Sequence, residues 1–539
     1  MLGYVKKIKR YRSAMKEFDK GNNNNKGNTE DQEEKTTELS EELDKNLEML
    51  SNILIESSDV VKRRFVIGKK VDAAIVYIDG LIDKAMVTEA ILKPLMYFSD
   101  IDPLPDVIDI NYVKSTLVLT GSIEPVENIN KAIDKILSGD TILIIDKSPK
   151  ILAVSLRGWN MRGIQEPQTE SVVRGPREGF TETMRVNTSL LRRKIKNPNL
   201  KFETVTIGDR TKTDVCISYI SGLAKPELID EVKKRLSNIK IDGVLESGYI
   251  EQYIEDAPYS IFSTVGNSEK PDKVASKLLE GRAAILVDGT PFVLTVPMLF
   301  VESFQSSEDY YSRAFFVSFI RILRFIAFFI SILAPALYVA LSNFHQELIP
   351  TPLLLSMAAA HEGVPFPATA EAFIMLIFFE ILREAGVRLP RPVGQAVSIV
   401  GALVIGEAAV SAGLIGAPLV IVVAVTAVSS FTVPTQTDSG TIMCFALLLL
   451  AGFMGGFGIS IGLFAIIIHM ATIKSFGIPY MMPFMPYDKS GLKDTAIRAP
   501  LWTMRKRPKG MSQDDIRQKK MSGPPQQGKN DDSTSEEPT

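Results

Sequence analysis

The sequence predicts a multi-domain chain: a cytosolic, duplicated α/β domain followed by an all-α polytopic membrane domain. Three observations predict it. Lys, Arg, Asp and Glu concentrate in residues 1–310, while Leu, Ile, Val, Phe, Ala and Gly dominate from Phe315 to Ile473. Two segments of the polar half recur at one fixed offset. Four apolar runs in the other half approach the roughly 20 residues that a membrane-crossing helix needs. The formal net charge of −2 averages over this polarity, and 539 residues exceed the usual size of one domain.

Residues 1–56 read as a basic and polar N-terminal extension. The stretch "MLGYVKKIKRYRSAMKEFDKGNNNN" has no apolar core of the kind a secretory signal carries, so the polar half is expected to stay in the cytoplasm. "KGNNNNKGNTEDQEEKTTE", residues 20–38, has the composition of a disordered linker. After it, Leu39, Leu43, Leu47, Leu50 and Leu54 recur at helical spacing and predict an amphipathic helix.

The repeat defines two α/β subdomains, residues 57–157 and 201–310. "VDAAIVYIDGL" at 71–81 matches "TDVCISYISGL" at 213–223 in six of eleven positions, including Asp72/Asp214, Tyr77/Tyr219 and Gly80/Gly222. The same offset of 142 aligns "KILSGDTILIIDKSPKILAV" (135–154) with "KLLEGRAAILVDGTPFVLTV" (277–296). Each copy reads strand, helix, then a hairpin of apolar strands around Asp-x-x-Pro. Asp146 and Asp288 sit at those turns, where Asp is a common turn former.

Between the copies, residues 158–200 form a basic connecting segment. From Arg157 to Lys201 there are ten Lys/Arg against four Glu. Its most distinctive stretch is Arg174, Gly175, Pro176, Arg177, Glu178, Gly179 and Phe180. One reading is an anion or lipid-headgroup site, with glycines allowing close backbone approach. The other is a contact region whose arginines pair with glutamates. The spacing fits no P-loop or dinucleotide fingerprint.

The inventory of catalytic groups is thin. His345, His361 and His469 all lie in or beside the apolar half, and H-E-x-x-H, G-x-S-x-G and C-x-x-C are absent from the sequence. Cys216 and Cys444 lie in different halves, which argues against a disulfide framework or a cysteine metal site. No enzyme activity, cofactor, metal or nucleic-acid partner is expected.

The membrane domain is placed at 311–486, with spans at Phe325–Ser342, Val393–Ala412, Pro418–Val433 and Thr441–Ile473. The last is long enough to tilt. A fifth run, residues 367–386, carries Glu371, Glu380, Arg383 and Glu384 and is taken as an interfacial or re-entrant helix. Residues 489–509 hold seven Lys/Arg and one Asp. The tail, 487–539, is therefore assigned to the cytoplasm as basic, then disordered. With both ends inside, the number of spans must be even.

Within the apolar run 401–422 stands Glu407, at a cost of roughly 2.5–3.5 kcal/mol if central in a bilayer. It lies only about 8 Å along a helix axis from the turn at Gly413. It either snorkels to the interface or pairs with a neighbouring helix, or it lines a polar ion path with Ser411. Glu371 and Glu380 are further candidates for that path. Gly413, Gly452, Gly456, Gly458 and Gly462 supply the small-residue spacing that lets helices approach closely.

Several long motifs, in order, resemble the A subunit of the spore germination receptor family GerA. They are "RGPREGFTETMRVNTSLLRRKIKNPNL", "EGRAAILVDGTPFVLTVP", "EDYYSR", "HQELIPTPLLLSMAAAHEGVPFP" and "EILREAGVRLPRPVGQAVSIVGALVIGEAAVSAG". The likeness runs from about Ser57 to Pro486. It departs from the family pattern at Leu376, where a second acid is common, and at Lys270 and Ser263, where Arg and Pro are usual. The resemblance implies a multi-pass protein of the spore inner membrane with both termini cytoplasmic. It implies partnership with a transporter-like B subunit, which senses nutrient, and a lipoprotein C subunit. It also implies a homo-oligomer that forms an ion-conducting path and triggers germination. Two alternatives stand beside this: a non-conducting scaffold subunit of the same receptor, and a cation-coupled transporter. The repeat lies in the polar half and none is visible in the membrane half, which argues against a transporter.

Overall fold

A computed structural model describes residues 39–54, 57–97, 113–114, 122–158, 167, 170, 172–388, 406–513 and 516–517. The linker at 20–38, residues 393–405 of the second expected span and the tail beyond 517 lie outside these residues. The described chain divides into two compact units, one drawn from Met1–Leu54 and Val60–Gly158, the other from Ile55–Asp59 and Trp159–Thr539.

In the first unit, α1 (Leu43–Leu54) precedes β1 (Val60–Ile67), β2 (Val71–Ile78), β3 (Ile123–Val126), α2 (Ile129–Leu137), β4 (Thr141–Ile145) and β5 (Ile151–Val154). The sheet order is β1-β2-β4-β5-β3, antiparallel throughout. Both faces are covered, by α1 and α2 on one side and by residues 82–95 on the other. That is why "TILII" in β4 is buried at every position rather than alternating. Leu43, Leu47, Leu50 and Leu54 form the buried stripe of α1, each worth roughly 1.5–3 kcal/mol of burial. Asn128 caps α2 by accepting the Lys131 N–H at 2.7 Å.

The second unit opens with α3 (Met184–Lys194), then β6 (Leu200–Ile207), β7 (Thr213–Ile220), α4 (Pro226–Ser237), α5 (Ser247–Ile254), β8 (Gly266–Ser268), α6 (Pro271–Leu279), β9 (Ala283–Val287) and β10 (Val293–Val296). Its sheet order, β6-β7-β9-β10-β8, repeats the first. The register repeats as well. Ala73 pairs with Ile145 as Val215 pairs with Val287, and Val76 with Ile142 as Ser218 with Ala284, each shifted by 142.

The duplication reaches further than the two matched segments. Asp146 accepts the Leu43 N–H at the start of α1 (3.1 Å), and Asp288 accepts the Met184 N–H at the start of α3 (3.0 Å). Asn46 bonds back to Ser40 through both its amide atoms, as Asn187 does to Thr181. The amphipathic helix assigned to the N-terminal extension and a helix inside the connecting segment are therefore equivalent parts of the two repeats. The turn aspartates serve as helix caps.

From Ala314 to Thr472 the described residues are mostly helical: α7 (Ala314–Asn343), α8 (Thr351–His361), α9 (Ala368–Arg388), helical residues 406–411, α10 (Ala417–Ser430) and α11 (Thr437–Thr472). Two stretches, Ala314–Asn343 and Pro434–Thr472, are long and apolar enough to cross a membrane, with mean hydropathy of 2.2 and 2.3. The run 441–473 predicts one tilted span, and here the structure differs. At Gly455 the backbone leaves helical geometry (φ 59°, ψ −140°) and the helix folds back on itself. A Cβ on Gly458 would stand 2.2 Å from the Leu450 carbonyl oxygen, and one on Gly462 2.6 Å from Leu447 Cδ2. In a straight helix residues 447 and 462 would be about 22 Å apart.

The bundle has two recognisable ends. Near the reversal, Gly456 N–H donates to His345 Nε2 (3.2 Å) and Asn343 to Thr369 (3.2 Å). At the other end, against the second α/β sheet, Gln436 donates to Ser303 (2.8 Å), and His469 and Ser260 are 2.9 Å apart. Ser439 also donates there, to the Ile261 carbonyl.

Candidate functional site

The charged groups set among apolar helices divide into two kinds. Glu371, in the first turn of α9, is fully buried. Its Oε2 accepts the Gly416 N–H at 3.0 Å, and its Oε1 stands 3.3 Å from His361 Nε2. Tyr338 on α7 reaches the same ring nitrogen at 3.5 Å, while His361 Nδ1 faces the Met357 carbonyl at 3.0 Å. A buried carboxylate is costly without partners, and the Gly416 N–H and the His361 ring stand against this one. The cluster thus ties α7, α8, α9 and the start of α10 together near the reversal end.

Glu380, two and a half turns further along α9, pairs with Arg383 at 2.5 Å. The Thr441 hydroxyl lies 3.4 Å from Glu380 and 3.3 Å from Arg383. Glu380 and Thr441 border a cavity of about 30 Å³ lined also by Thr426, Ser429, Ser430 and Gln436, which is room for about one water.

Glu407 is the opposite case. It is exposed on helical residues 406–411, as is Ser411 one turn on, and Glu407 has no hydrogen-bond or ion-pair partner among the described residues. The four candidate groups are therefore not one site. Glu371 and Glu380 turn into the bundle, whereas Glu407 and Ser411 turn outward.

The glycines have distinct contacts. Gly413 turns the chain between residues 411 and α10 with φ +66°. A Cβ on Gly452 would meet Thr369 at 2.5 Å, and one on Gly456 would meet His345 at 3.1 Å. Gly458 and Gly462 pack the two arms of α11 against each other.

In the connecting segment, Glu178 pairs with Arg193 (3.1 Å) and Lys194 (3.5 Å), and the Phe180 N–H donates to the Glu269 carbonyl. The Arg174 N–H donates to Glu308 at 3.0 Å, and Gly175 lets the chain pass close over the Tyr311 ring. Gly179 and Phe180 are buried, Pro176 half-buried, and Arg177 exposed. Arg192 is the deepest of these arginines, held by both oxygens of Asp59 at 2.8 and 3.0 Å.

One cluster has no signal in any single motif. Asp309, buried just before α7, accepts from Arg321 Nε (2.7 Å) and Arg324 (3.0 Å) on α7. Arg321 reaches on to Asp494 (2.8 Å) and the Thr495 carbonyl (3.0 Å). Tyr310 donates to Asp494 (2.7 Å), and burial pushes its hydroxyl well above the usual phenol range. Nearby, Glu302 binds both Lys277 and Arg282, and burial holds Lys277 well below the ordinary ammonium range. These groups lock the second α/β sheet, the first apolar helix and the basic C-terminal segment into one joint. The run Arg313, Arg321, Arg324 signals a juxtamembrane helix; its partners lie 12 and 173 residues from Arg321. Among the described residues no three His, Cys, Asp or Glu groups are placed to hold a metal ion.

The Bacillus/Clostridium GerA spore germination protein family matches residues 48–510. The chain belongs to the GerA family. Spore germination protein KA of Bacillus subtilis is 45% identical over 498 residues, spanning 92% of this chain and 91% of that protein. The B. subtilis protein named uncharacterized membrane protein YfkQ is 46% identical over 474 residues, spanning 87% and 91%. The crystal structure of the N-terminal domain of the A subunit of the Bacillus megaterium spore germinant receptor GerK3 is similar over 49% of this chain and 98% of its own. Its identity is 38% and the TM-score 0.40. The GerA match extends past Pro486 and takes in Asp494 and Arg498, so the joint between sheet, helix and tail lies within the family's span.

Proposed function

We propose that this GerA protein is the A-type subunit of a nutrient germinant receptor of the spore inner membrane, and that copies of it assemble around a cation path. It works beside a transporter-like B subunit and a lipoprotein C subunit. The observation that carries the reading is the outward-facing Glu407. An intramembrane carboxylate must meet water, a cation or a partner group, and no other residue described in this chain meets it. In a ring of copies each Glu407 adds one carboxylate to a cation-attracting constriction, with the Ser411 hydroxyl one turn beyond.

The directions of the helices support a chain that starts and ends on the cytoplasmic side. α7 runs from the joint to the reversal end, α9 and α10 run back, and the arms of α11 run out and return. Arg388 lies at the joint end and Gly416 at the reversal end. The described residues make five passages, and with a sixth return proposed between those two points the number is even, in place of four spans and an interfacial helix. Glu371 and His361 then sit near the outer end, where they brace the bundle.

The test is nutrient-triggered potassium release from spores whose sole germinant receptor contains this chain, comparing wild type with Glu407→Gln at equal protein level. A slower release or an altered sodium-to-potassium preference is expected. Unchanged release and preference would remove Glu407 from the path and leave the chain as a signal-transmitting scaffold.

A further inference from the structure

We propose that the chain carries a site for a phosphate-class anion, built around Lys270 in the cavity between α6, the 303–307 loop, α7 and the end of α10. The cavity measures about 240 Å³, far more than one water occupies. Three cations line it, Lys270, Lys273 and Arg324, against one carboxylate, Glu170. The hydroxyls of Ser306 and Ser307 add neutral donors.

Two of the three cations are already balanced. Lys273 pairs with Glu170 at 2.6 Å, and Arg324 with Asp309 at 3.0 Å. Lys270 is not. It is 1% exposed, and its Nζ makes no hydrogen bond. The nearest carboxylate oxygen, Asp272 Oδ1, is 3.9 Å away, and the other oxygen of Asp272 is taken by the Tyr311 hydroxyl at 2.6 Å. A buried ammonium without hydrogen bonds is among the costliest groups a fold can contain. Burial accordingly holds Lys270 below the ordinary ammonium range, and the carboxylates of Asp272, Glu170 and Glu308 offset this only in part. An anion in the cavity supplies the missing charge and acceptors together. The N-terminus of α6, which Lys270 caps, faces the same space and adds its dipole.

The position narrows the ligand. Phe431 and Thr432, which end the apolar helix α10, line the cavity opposite Lys270, beside Arg324 of α7. A phosphate on a bilayer lipid and a soluble phosphate share the chemistry this site recognises, and both reach a cavity at that level.

The experiment uses the purified full-length chain and reads thermal unfolding. One arm titrates inorganic phosphate in detergent. The other compares nanodiscs of phosphatidylcholine alone with nanodiscs containing phosphatidylglycerol. Wild type is expected to gain Tm in at least one arm. A gain with inorganic phosphate only identifies a soluble anion, and a gain with phosphatidylglycerol only identifies a lipid headgroup. Lys270→Arg keeps the gain. Lys270→Met loses it, with apparent affinity lower by about tenfold or more, the scale of one charge-assisted hydrogen bond. Each variant's gain is read against its own Tm without probe, because Lys270→Met also takes the ammonium away from Asp272 Oδ1. Should Lys270→Met fail to accumulate, Ser307→Phe fills the cavity with every lysine in place, and it too must abolish the gain. No gain in either arm for wild type, or an equal gain in the variants that lack the lysine or the cavity, would overturn the proposal.

Discussion

Replacing Gly455 with alanine separates two structures of the last apolar segment by the sign of the effect. At φ 59° and ψ −140° the residue occupies backbone space open to glycine and strained for any L side chain, which costs about 1–3 kcal/mol. The added methyl would also stand 2.8 Å from Phe344 Cβ and Cγ, and overpacking of that kind costs about 1–3 kcal/mol more. The sum, about 2–6 kcal/mol, is a large loss for a folded chain. Were Thr437–Thr472 one continuous helix, the same substitution would instead stabilise it by about 1 kcal/mol, the difference between Ala and Gly in a helix interior. The assay is thermal unfolding of the solubilised full-length chain, run beside membranes carrying Leu447→Cys with Gly462→Cys. Lower stability for Gly455→Ala and a disulfide between the paired cysteines are expected. A variant as stable as wild type or more so, without cross-linking, would refute the reversal.

Other outcomes follow from the joint and the second α/β sheet. Asp309→Asn strips the shared carboxylate charge from Arg321 and Arg324. It is expected to cost about 3–5 kcal/mol in denaturant unfolding, the scale of a broken buried pair, whereas losing the exposed Lys45–Glu42 pair changes nothing measurable. Burial raises Glu251, with repulsion from Glu255 and Glu246 added, so the folded state holds that proton more tightly than the unfolded chain does. The ionised group therefore weakens the fold increasingly as pH rises above its ordinary value of 4.5. Glu251→Gln should raise Tm at neutral pH, keep the Ser263 hydrogen bond, and match wild type below pH 4.5. A gain that persists in acid would contradict this.

Much of the α/β architecture is legible in the residues. Strand pairing repeats an alternation of side chains, so Asp72 with Tyr77 and Asp214 with Tyr219 mark equivalent strands before any coordinates exist. The equivalence of α1 and α3 is fainter. Glu41/Glu182, Asn46/Asn187 and Leu50/Leu191 agree at an offset of 141, but most positions between them have diverged. An amphipathic helix needs only an apolar stripe, whereas the Asn46 and Asn187 bonds need one residue type, so only those few positions are retained.

The apolar half shows the converse. Composition by itself marked the apolar runs between Phe315 and Ile473 as helices suited to a bilayer, because hydrocarbon leaves backbone groups no partner outside the helix. Which carboxylate is buried was decided only by tertiary packing: Glu371 and Glu407 sit in similar company along the chain, yet one faces Gly416 and His361 and the other faces outward. The reversal at Gly455 and the meeting of Asp309, Arg321 and Asp494 belong to the same class. Apolar content is additive along a sequence, but a helix face, a fold-back and an ion pair across 173 residues exist only once the chain has closed on itself.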